Sequence, residues 1–334
     1  MNFSLIVCTY MRSDSLIKLL QSVSLQTLYP DEIWIIDGST DEKTKLALET
    51  NFFKNLHYLK VSPEERGLTR QRNVGISKVN PACEIVCFLD DDTVLEVDFF
   101  EKLLETYHRF PEALGVGGYI YNEVKWDFVG ENYIPAIDEF CIDEWKRADG
   151  SRFVLRKRLG LDANLPPGYF PEFGHGRSIG FLPPSNKIYE VKQLMGGVSS
   201  FKKTVFDSQQ FSTYFEGYGL YEDADFTLRL SKLGKLYVNT AARLAHHHAP
   251  SGRPNLYDYG KMVVRNGWYV WRMAFPNPSL KSKLKWHAIT GLLTAIRFSN
   301  VLTSQKRQQA FTEGLGRCVG WWSLWVNKPD CPDK

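Results

Sequence analysis

The 334 residues are 43% hydrophobic, 24% charged and 14% aromatic, with 25 glycines and 16 prolines, proportions that exclude a disordered chain, a collagen and a disulfide scaffold. Lysine plus arginine number 41 and aspartate plus glutamate 38, a net charge of +3. That balance, with no reader motif, argues against nucleic acid as a partner.

Six cysteines, at 8, 83, 87, 141, 318 and 331, form no Cys-x-x-Cys pair, which points to reduced thiols in a cytoplasmic protein. The first ten residues lack a basic leader. No apolar stretch reaches the length of a membrane span; the nearest, residues 287–302, is interrupted by Arg297.

Residues 3–8 read as a buried strand, followed by a helix capped by Ser13 or Asp14 with Leu16, Leu19, Leu20 and Val23 at helical spacing. The alternation then repeats: strand 32–36, helix 42–49, strand 56–61, helix 69–79, strand 84–89, helix 97–110 and strand 116–121. Such an order predicts a mostly parallel sheet with helices on both faces and a binding crevice at the strand C-termini. Residues 122–190 lose periodicity and are rich in Pro, Gly and aromatics, the composition of an ordered insertion over the crevice. Regular signals return at 191–201, in a helix over 222–233, and in extended segments 236–239 and 243–246; residues 255–327 are mostly helical.

The sharpest feature is Asp90-Asp91-Asp92 directly after an apolar strand. Three crowded carboxylates need a cation, and their hard oxygens suit Mg²⁺ or Mn²⁺ holding a diphosphate; the plainer reading is a solvated turn capping the next helix. Asp37, at another strand end, can accept from a base N–H, and Tyr10 beside Thr9 and Arg12 can stack on a ring. Of two arginines opening the third helix, Arg70 in the first turn can reach phosphate, whereas Arg72 fits a solvated face. Gly196-Gly197 precedes a strand, and Glu222, Asp223 and Asp225 open a helix carrying Arg229, more acid than capping needs, so one can serve as a general base. His246 and His248 end an extended segment on one face, where an imidazole can join a carboxylate-bound metal. Phosphate-binding glycine loops are absent.

This ordered set, the 4–9 strand with Arg12, Asp37-Gly38-Ser39, Arg70 to Asn73, Asp90-Asp91-Asp92, Gly196-Gly197, Glu222-Asp223-x-Asp225 with Arg229, and His246, resembles the inverting family 2 glycosyltransferases over about residues 1–250. The resemblance implies an α/β fold of the GT-A type with a transferase domain over 1–250 and a C-terminal helical region over 251–334. Within the domain, residues 1–121 would form the nucleotide-binding half, 122–190 the insertion, and 191–250 the acceptor and catalytic half. It implies that Thr9, Tyr10, Arg12, Asp37, Arg70, Asp90 and Asp91 hold a nucleotide-sugar donor, UDP- or dTDP-linked. Asp92 and His246 would bind Mn²⁺ or Mg²⁺, Asp223 would be the base with Glu222 beside it, and Gly196, Gly197 and Asp225 would line the acceptor side. The acceptor would be a hydroxyl of a glycan or a lipid-linked glycan. Left open are whether Asp90 or Asp91 shares the metal with Asp92, and whether His246 or His248 completes the set.

Two alternatives stand beside this reading. Asp90-x-Asp92 after an apolar strand also fits a haloacid-dehalogenase-like phosphatase with Asp90 as nucleophile, and a catalytically silent nucleotide-sugar binder would carry the same binding residues. Trp268, Trp271, Trp286, Trp321, Trp322 and Trp325 lie among basic residues in the C-terminal helices, a composition that serves a peripheral contact with an anionic membrane, an oligomer contact or a helical cover on the sheet.

Overall fold

The computed structural model describes residues 1–248 and 254–331. It divides into two compact units, Met1–Asp127 with Ile179–Gly252, and Phe128–Ser178 with Arg253–Lys334. The expected boundary at 250/251 lies outside the described residues. The aperiodic stretch 122–190 is shared out: its middle belongs with the C-terminal helices.

The first unit begins with β1 (Phe3–Thr9), α1 (Ser13–Ser24), β2 (Glu32–Asp37), α2 (Lys43–Thr50), β3 (Leu56–Lys60), α3 (Leu68–Lys78), β4 (Ile85–Asp90), β5 (Thr93–Leu95), α4 (Phe99–Arg109) and β6 (Ala113–Ile120). After β7 (Asp127–Phe128), β8 (Glu139–Ile142), β9 (Trp145–Ala148) and α5 (Ser151–Arg158), the chain returns with β10 (Ile188–Val191), β11 (Val198–Lys202), α6 (Glu222–Leu230) and β12 (Lys235–His246). A nine-stranded sheet has the order β10-β12-β6-β11-β4-β1-β2-β3, with β5 paired to β12. The pairings make β3, β2, β1, β4, β6 and β12 point one way and β11, β10 and β5 the other.

Strand β4 shows why both faces are covered. Ile85, Cys87 and Leu89 enter a core with Leu16 and Leu19 of α1 and Phe99, Phe100 and Leu103 of α4. Val86 and Phe88 enter a second core with Phe201 of β11 and Phe226 of α6. A strand buried on both faces reads as a continuous apolar run, as these do. β1 lies between β2 and β4, where the strand order turns back, and the register sets Thr9 level with Asp37 and Cys8 level with Asp90. Such a switch point opens a crevice at the strand C-termini.

Three local expectations change. Ser13 and Asp14 are the first residues of α1 rather than its caps; the cap position falls at Arg12, whose side chain makes no capping hydrogen bond to the helix. The Asp90–Asp92 turn leads into β5, which begins at Thr93, rather than capping the next helix. The two extended segments 236–239 and 243–246 are one strand, β12, whose register shifts between Val238 and Arg243; there Asn239 turns its amide to the Lys102 carbonyl and Thr106, breaking the apolar alternation.

In the second unit β7-β9-β8 form a small sheet beside α5. Three long helices follow, α7 (Leu256–Ala274), α8 (Leu280–Thr303) and α9 (Arg307–Val326). Residues far apart in sequence build this unit together. The Glu172 carboxylate accepts from Ser279 N at 3.0 Å and from the Ser279 and Ser282 hydroxyls, while Trp271 Nε1 donates to the Glu172 carbonyl. Trp271 and Trp286 stack at 5.1 Å. Arg177 pairs with Asp149 and Asp162, each at 2.7 Å, and its guanidinium lies over Phe153.

Candidate functional site

The acidic turn is built by β4, which delivers Asp90, and by β5, which pairs antiparallel with β12 and sets His246 opposite Thr93. That register brings His246 Nε2 within 3.0 Å of Asp92 Oδ1. One ligand atom each from Asp90, Asp92 and His246 lies within 4.8 Å of the others. Two carboxylates and an imidazole are a hard oxygen and nitrogen set that fits Mn²⁺ or Mg²⁺. Asp91 faces elsewhere: it accepts from Thr9 Oγ1 at 2.7 Å and Arg12 Nη1 at 3.0 Å. Burial pushes its pKa up to about 6 against the pull of both donors.

The other nitrogen of His246 reaches Glu123 Oε1 at 3.2 Å, and His248 Nε2 reaches the same oxygen at 2.9 Å. Glu123, His246 and His248 thus form a second, adjoining trio. Asn122 holds the backbone of His246 from both sides, donating to its carbonyl at 3.0 Å and accepting from its N–H at 2.9 Å. Burial works against protonating His246, and the hydrogen bonds to Asp92 and Glu123 outweigh it, raising its pKa to about 10.

The acids of α6 stand across a glycine pair. Gly197 O accepts from Asp90 N at 3.0 Å, and Gly196 N donates to Asp223 Oδ2 at 3.1 Å. A Cβ on Gly197 would overlap the Asp90 carboxyl, and one on Gly196 would sit 2.5 Å from Glu222 Oε1. Both glycines therefore make room for carboxylates. Asp223 Oδ1 also accepts from Ala224 N at 2.7 Å; burial raises the Asp223 pKa while these N–H groups restrain it. Tyr221, just before the helix, has φ +71°, a left-handed conformation uncommon for a tyrosine.

Arg72 is the chief correction. Expected on a solvated face, it is buried, hydrogen-bonded to Glu222 Oε1 and 3.8 Å from Asp90. It lies over Phe88 and Phe211. Burial drives the Glu222 pKa up to about 8 although Arg72 pulls it down, and Glu222 Oε2 has no hydrogen-bond partner among the described residues. Arg70 is the half-exposed one, donating to the Glu64 carbonyl at 2.6 Å and pairing with Glu216 at 3.4 Å. Asp225 is buried and accepts from Arg229 at 2.7 and 3.1 Å. Asp37 is fully buried, accepting from Ser39 N at 2.8 Å and the Tyr58 hydroxyl at 2.9 Å, whereas Tyr10 is exposed. The sequence reading missed Tyr58, Asn122 and Glu123, whose roles depend on partners distant in the chain.

Residues 4–165 match the model of glycosyl transferase family 2. The chain carries a family 2 glycosyltransferase domain. It is 32% identical over 121 residues to the glucosyl-dolichyl phosphate glucuronosyltransferase of Haloferax volcanii, a match covering 35% of this chain and 38% of that protein. It is 29% identical over 119 residues to the O-antigen chain rhamnosyltransferase RfbN of Salmonella typhimurium, covering 35% and 37%. These matches span well under half the length of those relatives. Among solved structures, TarS 1-349 of S. aureus in complex with UDP aligns over 92% of this chain and 77% of its own, with a TM-score of 0.50 and 16% identity. GalNAc-T7, crystallised with UDP, GalNAc and Mn²⁺, aligns over 92% and 58%, with a TM-score of 0.51 and 15% identity. The fold is of the GT-A type; Asp90 and His246 end β4 and β12, Asp92 lies in the turn before β5, and Asp223 is in the first turn of α6.

Proposed function

We propose that this protein transfers a sugar, with inversion, from a nucleoside diphosphate donor to a hydroxyl of a glycan or lipid-linked acceptor. One observation carries the reading: the Gly196-Gly197 dipeptide binds Asp90 on one side and Asp223 on the other, so a metal-binding donor set and a buried carboxylate share one site. Asp90, Asp92 and His246 would hold Mn²⁺ or Mg²⁺, which supplies charge neutralisation to a diphosphate leaving group. Arg12, fixed by Asp91 and Asp92, adds a positive guanidinium beside the acids.

Asp223 takes the acceptor proton while the acceptor oxygen bonds to the anomeric carbon and the carbon–phosphate oxygen bond breaks, releasing the nucleoside diphosphate. Its two N–H donors fix the carboxylate in place, and Arg72 anchors Glu222 behind it. UDP- or dTDP-linked donors are favoured, in keeping with the UDP bound to the two similar structures.

The test is the melting temperature of the full chain with UDP, dTDP, GDP, CDP and ADP, with and without Mn²⁺, because a ligand of the native state raises it. A Mn²⁺-dependent rise with one nucleotide, lost in Asp92→Asn, supports the reading and names the base. No rise with any nucleotide overturns it.

A further inference from the structure

Helix α9 carries its bulk outward. Toward α7 it presents small residues: Gly316 approaches the Tyr257 carbonyl and Gly320 the Lys261 carbonyl so closely that a Cβ on either would crowd backbone atoms. On its other side Phe311, Leu315, Val319, Trp322, Trp325 and Val326 recur at three- and four-residue spacing and are 36% to 75% exposed. A surface helix normally turns such a stripe to the core and covers itself with charge. Here the ionisable residues in the middle of the helix, Glu313 and Arg317, are buried and bonded to each other at 2.8 Å.

Exposed charge is placed at the ends and is mostly basic, the exposed Asp330 following two residues after Lys328. Lys306 and Arg307 stand at the N-terminal end and Lys328 just beyond the C-terminal end, with no exposed carboxylate between them. No helix among the described residues is long and apolar enough to cross a membrane. A tryptophan-bearing stripe flanked by cations complements the acyl–headgroup boundary of an anionic bilayer, on which an amphipathic helix lies flat. A seam for a second helix is instead usually edged by charges of both signs.

We propose that α9 lies along an anionic phospholipid surface, with Trp322 and Trp325 at headgroup depth and Lys306, Arg307 and Lys328 against lipid phosphates. The helix offers a contact about 30 Å long, from the rise of an α-helix.

The full chain is tested by co-sedimentation with vesicles of phosphatidylcholine alone and mixed with phosphatidylglycerol. Binding to the mixed vesicles, weakened by salt, with a blue shift of tryptophan emission, is the expected result. The double variant Trp322→Ser/Trp325→Ser, at two exposed positions, should lose both binding and shift. Lys306→Glu/Arg307→Glu should need about tenfold more anionic lipid or greater for half binding, from the attraction per basic residue near such a surface. The proposal is overturned if the chain binds neither vesicle or if both variants bind as the parent does. It is equally overturned if sedimentation shows a dimer that the tryptophan variant makes monomeric, since a second copy would then cover the stripe. No nucleotide or acceptor enters the assay, so its failure leaves the transferase reading standing.

Discussion

Asp223 is held by two backbone N–H groups in a buried position, and that combination fixes what its loss should do. Asp223→Asn keeps the hydrogen-bonded shape and removes the base, so turnover should fall roughly 10²- to 10⁴-fold while the nucleotide-induced rise in melting temperature persists. Burial raises its pKa above the ordinary 3.8, and a base works only when ionised. The acidic limb of kcat/KM against pH should therefore fall at a higher pH than a solvated aspartate would give; intact turnover in the variant moves the base to Glu222 or Asp225, whereas an unshifted limb places it outside α6, since burial raises all three of these acids. The acids at strand ends and at the start of α6 were legible in sequence because more of them stand there than capping a helix requires. Arg72 was not, since one helical turn holds both Arg70 and Arg72 and only the packing of Phe88 and Phe211 decides which is buried. Glu123 was invisible for a similar reason: it lies in an aperiodic stretch and gains meaning from His246, which is 123 residues away.

At the scale of elements, two glycines separate function from stability. A methyl at Gly197, on the approach to β11, meets the end of the movable Asp90 side chain, whereas a methyl at Gly316 of α9 meets the Tyr257 backbone of α7. Gly197→Ala should leave the melting temperature nearly unchanged but abolish its Mn²⁺-dependent rise with nucleotide, because Asp90 must leave the donor set. Gly316→Ala should cost about 1–3 kcal/mol, the usual range for forced overpacking, with the nucleotide response retained; equal losses of stability in the two variants would refute the distinction. Strands and helices of the first unit were readable from apolar runs buried on both faces and from the repeat of strand and helix. Unreadable were the continuity of β12 across Asn239 and the pairing of β5 with it, both set by partners outside local periodicity.

Over the whole molecule the two units place ionisable groups in opposite predicaments. In the second unit, His175 packs against Trp286 at 5.8 Å and Thr290 at 3.4 Å, with burial and the charges of Arg156 and Arg317 lowering its pKa from 6.5 to about 3. Between those values the unfolded chain binds a proton that the folded unit refuses, so stability falls as pH drops through the window, by at most about 1.4 kcal/mol per pH unit. Glu222 in the first unit runs the other way. Its folded pKa of about 8 stands above the unfolded 4.5, so its contribution is complete below 4.5 and is lost as pH rises toward 8. Chains of separate units need not unfold in one step, and calorimetry from pH 7 to pH 5 should show one transition moving down and another moving up. His175→Gln, which cannot take the proton, should hold the falling transition in place, and Glu222→Gln should hold the rising one. Two transitions that fall together in the parent, and still do so in both variants, would show that neither buried group governs the acid response.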